Sequence, residues 1–107
     1  MLDHLERELP RLGLLFGDVT VADIALATCF RTAQVARYTI DAQRWPVTAA
    51  YVERVLELDC LKCLRPYEDK MARTPPPQQR AAMAEMGAPL TAETYGWAMA
   101  RPGIMRI

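Results

Sequence analysis

An unusual run of apolar positions begins at Val21. From there to residue 27 every side chain except Asp23 is apolar, and charged positions return only at Arg31. A helix that is apolar around its whole circumference lies in the middle of a helix bundle. The pattern therefore predicts a central helix over residues 21–38, which starts deep in the core and reaches solvent near Tyr38.

The start of this helix carries two local signals. Thr20 stands at the N-cap position and Asp23 three residues later, which is the spacing of a capping box. Val19 and Ile24 occupy the two positions of a hydrophobic staple, which fixes the angle of chain entry. The capping position accounts for Asp23 better than a catalytic acid does, because an acid there also suits the positive end of the helix dipole.

Other helices are predicted on both sides of the central one. An N-terminal helix, ended or kinked by Pro10, is indicated by leucines at helical spacing: Leu2, Leu5, Leu9 and Leu12. A third helix over residues 47–58 follows Pro46, since proline suits the first helical position. Its buried side chains are expected to be Tyr51, Val52, Val55 and Leu56. Asp59 is placed to cap a short fourth helix, which Pro66 limits.

The clearest break in the chain is the proline run after Thr74. Three consecutive prolines favour an extended polyproline conformation over helix. A short helix over residues 78–86 should follow and end at Gly87, with a weaker one over residues 91–99. The fold class is therefore all-α: residues 1–73 form a helical bundle core, and residues 74–107 form a tail that packs on the bundle.

The two best-defined stretches resemble one family. The residues around the capping box are similar to the start of the central helix in the C-terminal domain of glutathione S-transferases: Gly17, Asp18, Thr20, Ala22, Asp23 and Ile24. The stretch from Trp45-Pro46 through Tyr51 to Arg54 resembles that family's aromatic-Pro-x-x-x-x-Tyr-x-x-Arg helix. The resemblance covers residues 2–63, and it departs from the family at Asp59-Cys60, where the family often has Arg-Pro.

The resemblance implies a function that this chain shares with a second domain. In the family, an N-terminal thioredoxin-like domain holds glutathione, and no stretch here has that domain's βαβ pattern. The chain would supply scaffold, part of the electrophile pocket and dimer contacts for glutathione conjugation. It would have no catalytic, cofactor-binding or metal-binding residue of its own, and glutathione would be a co-substrate only with the missing domain present. We therefore expect the isolated chain to be inactive.

An alternative function is a stand-alone helical binding module without catalysis, because a fold does not determine an activity. In the transferase interpretation, four residues near the end of the central helix are candidates for the wall of the substrate pocket: Arg31, Gln34, Arg37 and Tyr38. The competing interpretation of these four residues is an ordinary solvated helix face.

Charge and composition exclude several classes of function. Thirteen basic and thirteen acidic residues cancel, so nothing favours binding to nucleic acid or to a membrane surface. The charged start of the chain lacks the apolar region of a signal peptide, and the sequence has no transmembrane run. Three cysteines, an odd number, indicate reduced thiols, and we expect a cytoplasmic protein.

Cys60 and Cys63 form a C-x-x-C pair, which raises a third hypothesis of thiol redox chemistry. The redox motif requires a preceding strand, which is missing. A zinc site requires two more ligands, and Cys29 and His4 lie at no metal-like spacing. We therefore expect the pair to be semi-buried helix residues that face the core, and His4 to be a solvated surface residue.

Association is predicted from the elements that the family has and this chain lacks. The surfaces that those elements cover should be apolar, and large apolar patches drive association. We expect a homo-oligomer, symmetric and formed through the helix of Leu2, Leu5 and Leu9, with a thioredoxin-like domain as the other candidate partner.

Overall fold

The computed structural model describes residues 1–90 of the 107-residue chain, and their regular structure is helical. In this part of the chain, β pairing is limited to one isolated bridge between Phe16 and Asp18. The all-α fold class is confirmed. The elements are α1 (Leu2–Glu8), α2 (Val21–Val35), α3 (Pro46–Leu56), α4 (Asp59–Lys62), α5 (Arg65–Arg73), a 3₁₀ turn (Pro76–Gln78) and α6 (Gln79–Glu85).

The chain divides into two compact units, Met1–Asp69 and Lys70–Ile107. The helix predicted over residues 91–99 lies outside the described residues, and the packing of the tail on the bundle stays a prediction.

The core of the first unit lies where α3 meets α2 and α1. The four α3 side chains expected to be buried are all in it, and Tyr51 and Val55 are 0% exposed. Leu9, Ala27 and Phe30 complete the buried set with them. Side chains at i, i+1, i+4 and i+5 of α3 face the core because they share one side of a helix with 3.6 residues per turn.

The prediction for the start of α2 was wrong in one respect. The helix does not begin deep in the core, since Val21 is 81% exposed. Its buried side chains lie on a single face, at Asp23, Ala27, Phe30 and Arg31. The reason is that α3 packs against one side of α2 only, so an apolar circumference does not imply burial on every side.

The end of α2 also differs from the prediction, because the helix stops at Val35 and not at residue 38. Arg37 has a φ of 65° and its amide donates to the carbonyl of Gln34 at 2.9 Å. The amide of Tyr38 donates to the carbonyl of Ala33 at 2.9 Å. These two bonds form a Schellman motif, which ends a helix at a residue in the left-handed region.

The predicted dimer contact through α1 stays a prediction. Leu9 is buried in the core, and Leu2 and Leu5 pack against it. Leu2, Leu5 and Leu9 therefore contribute to the core of their own chain, whereas Leu12 is 85% exposed.

The second unit contains the proline run and α6. Pro75 is extended as predicted, with φ −55° and ψ 141°, but Pro76 begins a 3₁₀ turn. Proline is tolerated there because the amides of a first helical turn lack a partner within the helix. The predicted end at Gly87 is confirmed: its φ is 72°, and the amide of Ala88 returns to the carbonyl of Met83 at 3.0 Å.

Candidate functional site

A buried polar centre of the first unit is built around the side chain of Asp23, which is 0% exposed. Its carboxylate accepts hydrogen bonds from the amide of Leu15 at 3.0 Å and from the amide of Thr20 at 2.9 Å. The hydroxyl of Thr20 donates at 2.7 Å, and the hydroxyl of Tyr51 donates to the same carboxylate. Asp23 thus joins the connector, the start of α2 and the middle of α3.

The ionisation of this centre follows from those bonds. Burial alone would raise the pKa of Asp23, but the hydrogen bonds from Leu15, Tyr51 and Thr20 lower that pKa far below its ordinary value. Burial raises the pKa of Tyr51, and the bond that its hydroxyl donates to Asp23 raises it further. The centre therefore holds an ionised carboxylate and a neutral phenol. Both are occupied by partners within the chain, which suits a structural role rather than proton transfer to a substrate.

Thr20 and Asp23 form the capping box of α2. The staple predicted for Val19 and Ile24 stays a prediction, and Val19 is 46% exposed.

A second carboxylate, that of Glu6, connects two helices, and the sequence analysis did not predict it. Glu6 of α1 accepts hydrogen bonds from the amides of Val47 and Thr48, both at 2.9 Å, and from the Thr48 hydroxyl at 2.8 Å. Burial raises the pKa of Glu6, but these bonds lower it more, so the net pKa lies below the ordinary value. The sequence contained one indication of this contact. The helix α3 starts at Trp45-Pro46 without a capping side chain of its own, so its first amides need an acceptor from elsewhere in the chain.

The four residues predicted for the pocket wall differ in their burial and in their contacts. Arg31 is 9% exposed, and its guanidinium pairs with Glu68 at 2.7 Å and with Asp69 at 2.6 Å. Gln34 accepts from the same guanidinium at 3.3 Å. Arg31 therefore attaches α2 to the start of α5. The hydrogen bonds to Glu68 and Asp69 raise the pKa of Arg31, although burial opposes them.

Arg37 and Tyr38 lie beyond the end of α2, and both are exposed. Tyr38 is 45% exposed, so its ring is open to a ligand or a partner. Their exposure is compatible with both a pocket wall and a solvated surface, whereas Arg31 belongs to the interior.

Arg54, which closes the second stretch of family resemblance, holds the connector. Its guanidinium donates to the carbonyl of Gly13 at 2.8 Å and to that of Arg11 at 2.7 Å. The second stretch therefore contacts the segment before α2 through Arg54, and the first turn of α2 through Tyr51.

The cysteine prediction was wrong about burial. Cys60 and Cys63 are both exposed, because α4 is a single turn whose inward side is taken by Leu61. Within residues 1–90, no group of three or more His, Cys, Asp or Glu side chains is arranged to hold a metal ion. His4 is exposed on α1.

The second unit has an open cleft of about 370 Å³. Its lining is mostly exposed and carries both signs of charge, from Lys70, Arg73 and Glu85. None of the site residues predicted from the sequence lines this cleft. Among the helices of residues 1–90, none has both the length and the apolar content needed to cross a bilayer.

Comparison with protein families gives one match. Residues 1–54 match the model described as glutathione S-transferase, C-terminal domain. Searches of curated proteins and of solved structures give no match. The matched residues contain the whole Asp23 centre, the Glu6 cap and Arg54.

Proposed function

This chain belongs to the glutathione S-transferase C-terminal domain family, and from that we propose that it serves as the helical domain of a glutathione S-transferase-like protein. The proposal rests on one observation: the residues that match the family model include the whole Asp23 centre. The residues that resemble the family are those that fix the start of α2 against α3. A rigid α2 is what a domain needs if it is to present one wall of a pocket to a second domain.

We propose three contributions to conjugation. The first is scaffold, through the core of α2 and α3. The second is part of the electrophile pocket, supplied at the end of α2 by the exposed Arg37 and Tyr38, with Gln34 behind them. The third is dimer contacts. Of the four residues first considered for the pocket, Arg31 is assigned to the scaffold because both of its carboxylate partners are in the same unit.

The proposed activity needs glutathione as co-substrate and a thioredoxin-like domain to bind it. Conjugation requires donors that stabilise the thiolate, and both reactants must be held together. In the first unit, Asp23 and Glu6 accept hydrogen bonds from within the fold, so neither carboxylate supplies a donor to a thiolate. We therefore expect transferase activity only with the second domain present. An odd number of cysteines suits a reducing compartment, so we keep the cytoplasm as the proposed location.

The experiment fuses a thioredoxin-like, glutathione-binding domain ahead of Met1 and measures conjugation of a chlorinated aromatic electrophile. Tyr38→Ala should raise the KM for the electrophile several-fold while the KM for glutathione stays unchanged. Thr39→Ala, at the next exposed position, is the matched control. Equal KM values for the electrophile in the two variants would contradict a pocket role for Tyr38.

A second candidate function is a stand-alone helical binding module. It is favoured by the exposed side of α2, where Val21 is 81% exposed and Ala25 is also open to solvent. Reading the genomic sequence upstream of Met1 distinguishes the two. A thioredoxin-like reading frame continuous with Met1 supports the transferase, and an unrelated upstream sequence supports the module.

A further inference from the structure

Cys60 and Cys63 lie on one helical turn, and both thiols are exposed. Cys63 continues the helical geometry of α4, with φ −63° and ψ −20°. Side chains three positions apart share one side of a helix. Of the two residues between the cysteines, Leu61 packs against the core, and the ammonium of Lys62 pairs with Glu57 at 2.7 Å. The turn therefore presents two neighbouring thiols to solvent, and we call Cys60 and Cys63 the dithiol.

The two thiols of the dithiol differ in their surroundings. The thiol of Cys63 donates to the carbonyl oxygen of Cys60, and its sulfur lies 3.7 Å from that oxygen. This contact turns the Cys63 sulfur back along the turn toward Cys60. Within residues 1–90, the Cys60 thiol has no hydrogen-bond partner. Cys60 is therefore open to an external reagent, and Cys63 is placed to react with whatever becomes attached to Cys60.

A bond between the two sulfurs requires only a small movement of the backbone. The Cβ atoms of residues three apart in a helix are about 5–6 Å apart, whereas a disulfide holds them about 3.5–4.5 Å apart. The helix α4 is a single turn, and the hydrogen bond from the Cys63 amide to the Asp59 carbonyl is already long, at 3.4 Å. A disulfide that distorts its surroundings is more easily reduced. The dithiol is therefore suited to reversible oxidation rather than to a permanent cross-link.

We propose that the dithiol is a reversible oxidation site, which a small-molecule disulfide converts to an internal Cys60–Cys63 disulfide. The Cys60 thiolate attacks one sulfur of the small disulfide, whose S–S bond breaks and releases one thiolate. The Cys63 thiolate then attacks the Cys60 sulfur of the mixed disulfide, and the second small thiolate leaves. The chain loses two electrons and two protons. The small disulfide gains the two electrons, and its two thiolates take up protons from water.

This site differs from the active site of a thiol reductase, because the element before α4 in the described part of the chain is the helix α3 and not a strand. Exchange with a small disulfide also needs no pocket for glutathione. The oxidation site is therefore independent of the proposed transferase function and of a second domain.

The first test incubates the full chain with oxidised and reduced glutathione, blocks the remaining thiols and maps every cysteine by mass spectrometry. Cys29 is the comparison within the chain, since it is exposed but has no cysteine three or four positions away. The expected products are the internal Cys60–Cys63 disulfide and, on Cys29, at most a mixed disulfide with glutathione. At about 0.1 mM total glutathione the internal disulfide should exceed the mixed one by about tenfold, because a neighbouring thiol acts at a millimolar effective concentration.

The second test uses variants and a second oxidant. Cys63→Ser removes the second nucleophile, so one glutathione should stay attached to Cys60. Cys29→Ser is the matched control and should form the internal disulfide as the unchanged chain does. Hydroxyethyl disulfide should give the same internal disulfide, because ordinary exchange does not recognise glutathione. Circular dichroism verifies that both variants stay folded.

Three results would each overturn the proposal: no internal disulfide, mixed disulfides on Cys60 and Cys63 together, or oxidation by glutathione disulfide alone. The last would indicate a glutathione site instead of a dithiol open to any small disulfide. Conjugation is measured in neither test, so a failure here is distinguishable from a failure of the proposed function.

Discussion

Glu6 caps a helix other than its own: its carboxylate accepts the amide and the hydroxyl of Thr48, at 2.9 and 2.8 Å, at the start of α3. The first amides of a helix have no partner within the helix, and α3 offers no capping side chain. One side chain thus completes α3 and fixes α1 against it. The same logic governs the start of α2, where Asp23 is the acceptor.

Glu6→Gln should lower the midpoint of chemical denaturation, because an amide cannot accept all three bonds as a carboxylate does. Glu8→Gln is the matched control, since Glu8 is exposed on the same helix. Equal midpoints for the two variants would mean that the cap contributes nothing to stability.

Thr20→Ala should cost about 1 kcal/mol of unfolding free energy, the usual value of a helix cap. Asp23→Ala should cost about 3 kcal/mol or more, because the Leu15 amide, the Thr20 amide and the Tyr51 hydroxyl lose their acceptor. Thr32→Ala on the exposed side of α2 is the control. Unchanged denaturation midpoints for Thr20→Ala and Asp23→Ala would rule out the capping role.

The pKa shifts determine how the stability of the fold changes at low pH and at high pH. Asp23 and Glu6 have lowered pKa values in the folded state, so their contribution is present above their unfolded pKa values and is lost as pH falls through the folded ones. Tyr51 has a raised pKa, so its contribution is complete below its ordinary value of 10.0 and declines as pH rises beyond it. Thermal denaturation against pH measures both. Tyr51→Phe should abolish part of the decline above pH 10. It should also weaken the dependence on the acid side, because the Tyr51 hydroxyl is one of the donors that lower the pKa of Asp23.

Arg37→Gly should stabilise the chain by about 1 kcal/mol, because glycine adopts a φ of 65° without the penalty that a side chain brings. Arg37→Ala removes the same charge but keeps the left-handed penalty, which makes it the matched control. Denaturation of both variants at low micromolar concentration gives the comparison. A glycine variant no more stable than the alanine variant would contradict the strain assigned to this position.

The parts of the fold that were predictable from the sequence depend on neighbours along the chain. The start of α2 could be located because Thr20 and Asp23 are three residues apart. Its end could not, because the residue in the left-handed region is Arg37 and not a glycine. The buried face of α3 followed from its periodicity.

What the sequence could not give depends on contacts between distant residues. Glu6 and Thr48 are 42 positions apart, and no local pattern pairs them. From the sequence, Arg31 was interpreted as a solvated or a pocket residue. In the fold, α5 places Glu68 and Asp69 against its guanidinium. The exposure of Cys60 and Cys63 depended on how short α4 would be.

The central claim is that this chain is the helical part of a transferase and leaves glutathione to another domain. Titration calorimetry of the full chain with glutathione, followed by a conjugation assay on the same sample, tests it most directly. We predict no saturable binding and no conjugation above the uncatalysed rate for the chain alone. Saturable heat together with turnover above that rate would contradict the account, because it would place a complete glutathione site within these 107 residues.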